Sequence, residues 1–429
     1  MNPESKLQAN SRVVHVRRRI LVKALVIPTI VLALIGVGYS TVYRAGPFSI
    51  GGTTWGSKVH RCDFSVFVAA GRAVLKGTDI YEAQNARGWY YVYPPPFALL
   101  MAPFALIPLI WASIVWYIIS VLFLAGSVKV NLAMLGEAKL RPDHLLWLAF
   151  LPSVLVLWLV ISALEHGQTT PLVLWLVMMG LACERSGRSV RGGVALAVAS
   201  VIKVFPVLFL AYFVWQRKWR AMMAMAAALV LGALVLPSAI YGIRGNLGYW
   251  NEWLGRVALP TMSSQSALES NPLNETLLSP GLLNNQSLSA VLWRIRGGAK
   301  GRMTAWMMLA VMAGITGWAG WRARQGNELA VLSSFMAWMV LAPTISWAHY
   351  FMVLLLPLTL LVFLVQRGQD RLTRSLMVFS IVIFGVCCSI SPIHQMQFWG
   401  SLCWGTVVLW ATLVVVVVRR PACRNFGLA

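Results

Sequence analysis

Val59–Pro103 opens VHRCDFSVFVAAGRAVLKGTDIYEA and closes WYYVYPPPFALLMAP. In its first half Asp63 heads a run in which Phe64, Phe67, Val68, Ala70, Val74 and Leu75 recur at roughly helical spacing. Its second half sets Pro94, Pro95 and Pro96 at the start of an apolar run, where a helix's first turn tolerates them, behind tyrosines of the kind that gather at membrane interfaces. An amphipathic helix lying in the interface between two apolar runs predicts a polytopic membrane protein. A carboxylate at the start of that helix points at the membrane boundary. Asp is also a favoured helix N-cap, and the two roles are compatible.

The rest of the chain supports a lipid solvent. Of 429 residues, 59% are hydrophobic and 11% charged, with a mean hydropathy of +0.71. A soluble domain of this size lacks the interior to hide so much apolar surface. Apolar runs of about 20 residues predict helices rather than the alternating strands of a barrel. Ile20–Val42 is too long for a signal-peptide core and lacks a clear small-residue cleavage site, so it reads as a retained span.

The net charge of +23 points to topology rather than nucleic acid. Most Lys and Arg gather in short loops alternating with spans: Lys6 to Lys23, then Lys129 to Arg141, Arg185 to Arg191, Arg217 to Arg220, Arg322 and Arg324, Arg367 to Arg374, and Arg419 to Arg424. By the positive-inside rule these loops and both termini, including the basic segment 1–19, are cytoplasmic. Only Cys62 of six cysteines falls in a clearly external loop, and no disulfide or metal spacing is present.

Parity then orders the chain as a single integral membrane domain over 1–429. Residues 43–93 form a first extracytoplasmic loop, followed by spans near Pro94–Val128, His144–Ile161 and Thr169–Cys183. Arg191–Trp215 has basic residues at both ends, so two short arms meeting near Ile202–Pro206 are expected, each about 18 Å long against a core of about 30 Å. Ala221–Tyr241 leads to a second long external segment, 242–302, in which NLGYWNEWLGRVAL reads as a surface helix and Thr261–Gln286 as a loop or lid. Five further spans bring the expected total to about twelve transmembrane helices, the hairpin arms included.

Several polar groups stand where chemistry is possible. Arg72 and Lys76 share one helix face and suit a lipid phosphate or, equally, anionic headgroups. Asp79 reads as turn chemistry after a helix capped by Gly77. Glu165, His166, Gly167 and Gln168 fill a short external turn. A polar cluster facing a membrane cavity is a functional candidate, although a lone His is more often structural. Lys203, at the tip of the hairpin, needs an anionic partner: a phosphate or an internal carboxylate. Asn285 and Gln286 either cap a short helix or bind a sugar, and Trp347, His349 and Tyr350 stand at the external mouth of a span. The chain has no P-loop, zincin pair, dinucleotide loop or nucleophile elbow. An ATP-driven pump contained in this chain is thereby excluded.

In this order, Asp63 with Leu75-Lys76-Gly77 and Asp79-Ile80-Tyr81, Tyr93-Pro94-Pro95, Gly167-Gln168, Gly192-Gly193 leading to Lys203 and Pro206, Asn285-Gln286-Ser287, and Trp347-Ala348-His349-Tyr350 form a set that resembles glycosyltransferase family 87 over roughly Ser57 to Tyr350. The resemblance implies a GT-C fold and transfer of a hexose, most often mannose, from a polyprenyl-phosphate-sugar donor to a lipid or glycan acceptor outside a bacterial cytoplasmic membrane. It implies an inverting single displacement with Asp63 as general base, no cofactor and no metal. It puts Lys203, Arg72, Lys76 and His349 toward the donor phosphate, and His166, Gln168, Asn285, Gln286, Trp347 and Tyr350 toward substrate. An arabinofuranose donor is the alternative within the class. A transporter or flippase is the alternative outside it, but that fold predicts repeated halves with paired broken helices, and only one hairpin is found. The expected partners are these lipids and the surrounding membrane, with no nucleic acid.

Overall fold

A computed structural model describes residues 26–36, 48–50, 53–55, 62–85, 88–136, 142–260, 273, 277–322, 327–367 and 370–419. The basic segment 1–19, the ends of the first expected span and most of the expected lid lie outside these residues. Of the first span, helix α1 (Val26–Gly36) is described. In the first expected external loop, strands β1 (Phe48–Ile50) and β2 (Thr53–Trp55) pair antiparallel. This ribbon departs from the all-α expectation; every other regular element among the described residues is helical.

Six helices are long and apolar enough to cross a membrane, and a seventh span arises if one bent pair is counted together. The protein is therefore a multi-pass helical membrane protein, and shorter apolar helices among the described residues, the two hairpin arms included, accompany these spans. Prolines account for much of the shortening. The run read as one span over 94–128 is two elements, α3 (Pro95–Met101), continued by a 3-10 turn to Leu106, and α4 (Leu109–Met134). Pro103 and Pro108 each lack the N–H that would carry the helix through. The span read over 144–161 is likewise α5 (Pro142–Leu155) and α6 (Leu157–His166), bent by 59° beyond Pro152.

The hairpin expected around Lys203 is present. Helix α7 (Thr170–Arg185) turns into α8 (Ser189–Ile202); a 3-10 turn over Phe205–Leu208 leads to α9 (Phe209–Trp215) and then α10 (Trp219–Val230). Lys218 pairs with Glu184 at 2.6 Å and with Glu328, and Arg185 pairs with Glu328 at 3.0 Å. This network gathers the end of α7, the end of α9 and the start of α14 (Glu328–Leu341) at one face. The α8–α9 hairpin thus begins and ends at that face, with Lys203 at its far tip. Tandem glycines let α8 lie close to both neighbours. A Cβ on Gly192 would stand 2.7 Å from the Gly180 carbonyl oxygen of α7, and one on Gly193 2.4 Å from the Ala221 carbonyl oxygen of α10.

After α10 a π-helical turn, Leu231–Val235, runs into α11 (Leu236–Trp253), which bends back at Gly242, φ 72°. Residues after the bend form the helix expected over NLGYWNEWLGRVAL. Asn246 Nδ2 donates to the Ala233 and Leu234 carbonyls at 3.2 and 3.1 Å, and Trp250 Nε1 to Ala233 at 2.9 Å. Pro237 has no N–H for the Ala233 carbonyl four residues before it, so these side chains supply the donors and fix the bend.

Helices α12 (Leu288–Arg296), α13 (Gly298–Arg322), α15 (Leu355–Val365), α16 (Arg371–Ile390), α17 (His394–Trp399) and α18 (Ser401–Arg419) complete the bundle. Nearly all of α14 and α15 is buried, which puts them at the centre. The outward faces of α4, α11, α13 and α16 instead expose Trp111, Leu122, Ile240, Trp318 and Phe379. Such faces suit a solvent of lipid chains.

Candidate active site

The site is built from four chain breaks that meet at one place. The first is the start of helix α2 (Cys62–Lys76), with Asp63 in its first turn and half-buried. Carboxylates are favoured there by the helix dipole. Phe64 stacks on Trp116 at 5.5 Å, and Phe67 packs edge-on against Tyr93 at 4.7 Å and Phe97 at 5.1 Å. Ser65 and Val66 are buried too. The first half of α2 is therefore packed against protein on several sides rather than by one apolar face. Exposure begins at Arg72. Gly77 ends the helix: its N–H bonds to Val74 and that of Thr78 to Ala73. Asp79 Oδ1 accepts from the Tyr81 N–H at 2.8 Å, the turn role expected of it.

The second break is the turn between α6 and α7. Gly167 takes the left-handed conformation, φ 66°, its N–H bonding to Leu164 while the Gln168 N–H bonds to Ala163 at 2.9 Å. This is a Schellman cap, and it fixes Gln168 as the first residue beyond the cap. Trp116 Nε1 donates to the Gly167 carbonyl at 2.9 Å and secures the turn. Gln168 is 7% exposed, and its Nε2 donates to Asp63 Oδ2.

The third break is Lys203, extended at φ −140°, ψ 122° between α8 and the 3-10 turn. Pro206 has no N–H for the Ile202 carbonyl and disfavours helix at the residue before it, so α8 stops here. Lys203 Nζ donates to Gln168 Oε1 at 3.1 Å and to Thr170 Oγ1 at 2.9 Å, and stands 3.2 Å from His349 Nε2. It also lies 4.0 Å from the centroid of the Tyr350 ring, which stacks on Phe205 at 5.4 Å. Three acceptors match the three protons of an ammonium. Its protein partners are thus neutral groups, and the internal carboxylate expected as one alternative is not among them. The ion pairs among the described residues lie elsewhere.

The fourth break is Trp347–Tyr350, which leads by a 3-10 turn into α15. It is held from the other side by Asn285. Asn285 Oδ1 accepts from the Ser346 and Ser287 N–H groups at 3.0 and 3.2 Å, and its Nδ2 donates to the Thr344 carbonyl at 3.0 Å. Gln286 N–H donates to the Ser346 carbonyl at 2.8 Å, and its Nε2 to Leu283 and Gln397. Ser287 caps α12. Asn285 and Gln286 thus do not cap that helix; their bonds brace the Thr344–Trp347 segment.

Asp63, Gln168, Lys203, His349 and Tyr350 therefore converge. Arg72 and Lys76 do not: both are exposed on α2, and Arg72 lies nine residues, about 14 Å, along the helix from Asp63. His166 turns back on its own helix, Nδ1 to the Ser162 carbonyl at 2.8 Å. Trp347 is half-buried and paired with Asn285.

Sequence reasoning missed three contributors. Thr170 is a ligand of Lys203; its signal was its place two residues after Gln168 in the external turn. Tyr93 read as belt, yet its OH donates to Gln168 Oε1 at 3.0 Å. Arg294 read as one charge among many, yet it donates to the Pro280, Leu282, Asn285, Gln397 and Phe398 carbonyls at 2.9 to 3.2 Å. Burial lowers its pKa to about 10, which leaves it charged at neutral pH. No three His, Cys, Asp or Glu among the described residues group to hold a metal ion. A cleft of about 650 Å³ lined by Trp293, Arg302, Met303 and Trp306 shares no residue with the cluster.

A carboxylate, an ammonium and an imidazole in one half-buried cluster suit proton abstraction beside a developing anion. The sequence profile described as glycosyltransferase family 87 matches residues 91–346. The chain is 25% identical over 405 residues to a polyprenol-phosphate-mannose-dependent alpha-(1-2)-phosphatidylinositol mannoside mannosyltransferase of Mycolicibacterium smegmatis, covering 87% of each chain. The protein of that name from Mycobacterium tuberculosis is 24% identical over 400 residues, 86% of this chain and 87% of the relative. An undecaprenyl phosphate-alpha-4-amino-4-deoxy-L-arabinose arabinosyl transferase of Pseudomonas aeruginosa is 30% identical over 140 residues, 32% of this chain and 23% of the relative.

Proposed function

Because the chain belongs to glycosyltransferase family 87, we propose that it moves a hexose, mannose in the first instance, from a polyprenyl-phosphate carrier to a lipid or glycan acceptor at the extracytoplasmic face, within a GT-C fold and with both termini cytoplasmic. The names of its relatives support the donor class: both mannosyltransferases are polyprenol-phosphate-mannose-dependent, and the third acts with an undecaprenyl phosphate sugar. The observation that carries the reading is the bonded line from Asp63 through Gln168 to Lys203 and His349.

Transfer is a single displacement with inversion. An acceptor hydroxyl attacks the anomeric carbon while the Asp63 carboxylate takes its proton. The bond from that carbon to the phosphate oxygen breaks, and polyprenyl phosphate leaves. A phosphate needs no general acid, but its growing charge needs cations and hydrogen-bond donors. Lys203 supplies the charge. Its three protons are engaged, so its effect is Coulombic unless the phosphate displaces Gln168, Thr170 or His349.

The test is transfer by purified protein from polyprenyl-phosphate-mannose and other polyprenyl-phosphate sugars, with Asp63→Asn as comparison. Loss of a general base costs roughly 10² to 10⁴ in rate. Full activity in the Asn variant removes Asp63 from the base role. Absence of transfer from any carrier, with donor movement across liposomes, favours a flippase.

A further inference from the structure

We propose that Gln168 is a positioning residue, a neutral spacer that keeps Asp63 and Lys203 from closing into a direct ion pair. The inference rests on the reading of Asp63 as base and Lys203 as the charge beside the leaving phosphate, and explains how opposite charges so near one another stay separately useful.

The geometry leaves the amide one orientation. Lys203 Nζ and Tyr93 OH both donate to one oxygen, Gln168 Oε1, at 3.1 and 3.0 Å, and an ammonium has no lone pair to accept with. The amide nitrogen must then face Asp63, whose carboxylate oxygen accepts. The side chain cannot swing away, because the Gly167 turn fixes its backbone and it is 7% exposed. The other polar contacts of Lys203, Thr170 Oγ1 and His349 Nε2, are neutral acceptors as well. The ammonium is thus ringed by dipoles, and the nearest anion is held one amide away.

The arrangement matters to both halves of the reaction. A carboxylate in contact with an ammonium is a weaker base, because the cation stabilises its charged form. An ammonium paired with a carboxylate offers less to a phosphate. An amide between them passes a hydrogen bond to each and neutralises neither. Removing it without removing its bulk lets the long Lys203 side chain turn toward Asp63.

The experiment titrates the Asp63 carboxyl by difference infrared spectroscopy, each protein being read against its own Asp63→Asn counterpart so that carboxylates not coupled to Asp63 cancel. The Gln168→Glu difference reports the coupled pair. The proteins are wild type, Gln168→Met and Gln168→Glu. The titratable groups that feel the charge of Asp63 are Tyr93, Lys203 and Tyr350, with His349 bonded to Lys203; all are retained in both variants. In Gln168→Met the midpoint is expected to fall by about one pH unit or more as Asp63 pairs with Lys203. In Gln168→Glu it is expected to rise, because two facing carboxylates share a proton. Midpoints that stay put in both variants, or move in the same direction, overturn the spacer. A purely structural role lowers melting temperature without these opposed shifts. The titration needs no substrate, so it judges the spacer independently of the transfer assay that judges the base.

Discussion

Lys203 Nζ stands 3.2 Å from His349 Nε2, so the ammonium selects which nitrogen of that ring carries the proton. An ammonium only donates, and Nε2 must therefore be the bare, accepting nitrogen. The neutral ring carries its proton on Nδ1, as a donor directed away from the lysine. In nitrogen-15 spectra of histidine-labelled protein, with His349→Gln subtracted, wild type should show the Nδ1-protonated tautomer alone. Lys203→Met should bring in the other tautomer. A wild-type ring protonated on Nε2 would mean that Lys203 is not donating to it.

Helix α8 holds Lys203 at its end only because it lies backbone to backbone between two neighbours. A Cβ on Gly193 would stand 2.4 Å from the Ala221 carbonyl oxygen and 2.8 Å from the Met225 nitrogen, both backbone atoms that cannot rotate away. Gly193→Ala should push α8 from α10, costing about 1–3 kcal/mol of stability as overpacking. Lys203 moves with the helix, so transfer should fall further than stability does. Melting temperature and kcat measured together check this; an unchanged melting temperature refutes the close packing.

The residues of the site were legible one at a time, because each sits at a break that sequence can show. Gly167 announces the turn before Gln168, and Pro206 the end of the helix that stops at Lys203. Their meeting was not legible. Gln168 lies 105 residues from Asp63, and His349 lies 146 from Lys203. No local pattern encodes contacts of that kind. Nor did periodicity separate a surface helix from an embedded one: Phe64 and Phe67 repeat helically in either setting, and only Trp116, Tyr93 and Phe97 decide between them. Span lengths departed from the expectation for a different reason. A hydropathy run passes through Pro103 and Pro108 without a dip, whereas the backbone cannot.

One helix start responds to pH. Asp370 caps α16 by accepting from the Thr373 N–H at 3.0 Å, and the Thr373 hydroxyl together with this bond holds its carboxyl below the usual aspartate range. A folded value below the unfolded one adds stability above the unfolded value and loses it as pH falls through the folded one. The protection of the Thr373 amide, its exchange rate corrected for the intrinsic pH dependence, should therefore fall in acid in wild type. In Asp370→Asn an acceptor oxygen remains but cannot titrate, so the acid effect should vanish. Equal acid sensitivity in both proteins would place the titrating group elsewhere.

Arg294 reaches the site through Asn285. Its guanidinium binds the carbonyls of Pro280, Leu282 and Asn285 on one side and those of Gln397 and Phe398 on the other, joining the approach to α12 to the end of α17. Asn285 in turn holds the Ser346 N–H, three residues before His349. Lysine keeps the charge but presents one point with three donors, so Arg294→Lys must break at least two of these bonds, although the Leu282 and Gln397 carbonyls keep other donors. At about 0.5–1.5 kcal/mol for each hydrogen bond lost, the loss should be roughly 1–3 kcal/mol. Hydrogen exchange should rise first over Leu282–Ser287 and then at Ser346, with transfer declining alongside. Faster exchange confined to Leu282–Ser287, with Ser346 and transfer unchanged, would leave Arg294 a local brace with no reach to His349.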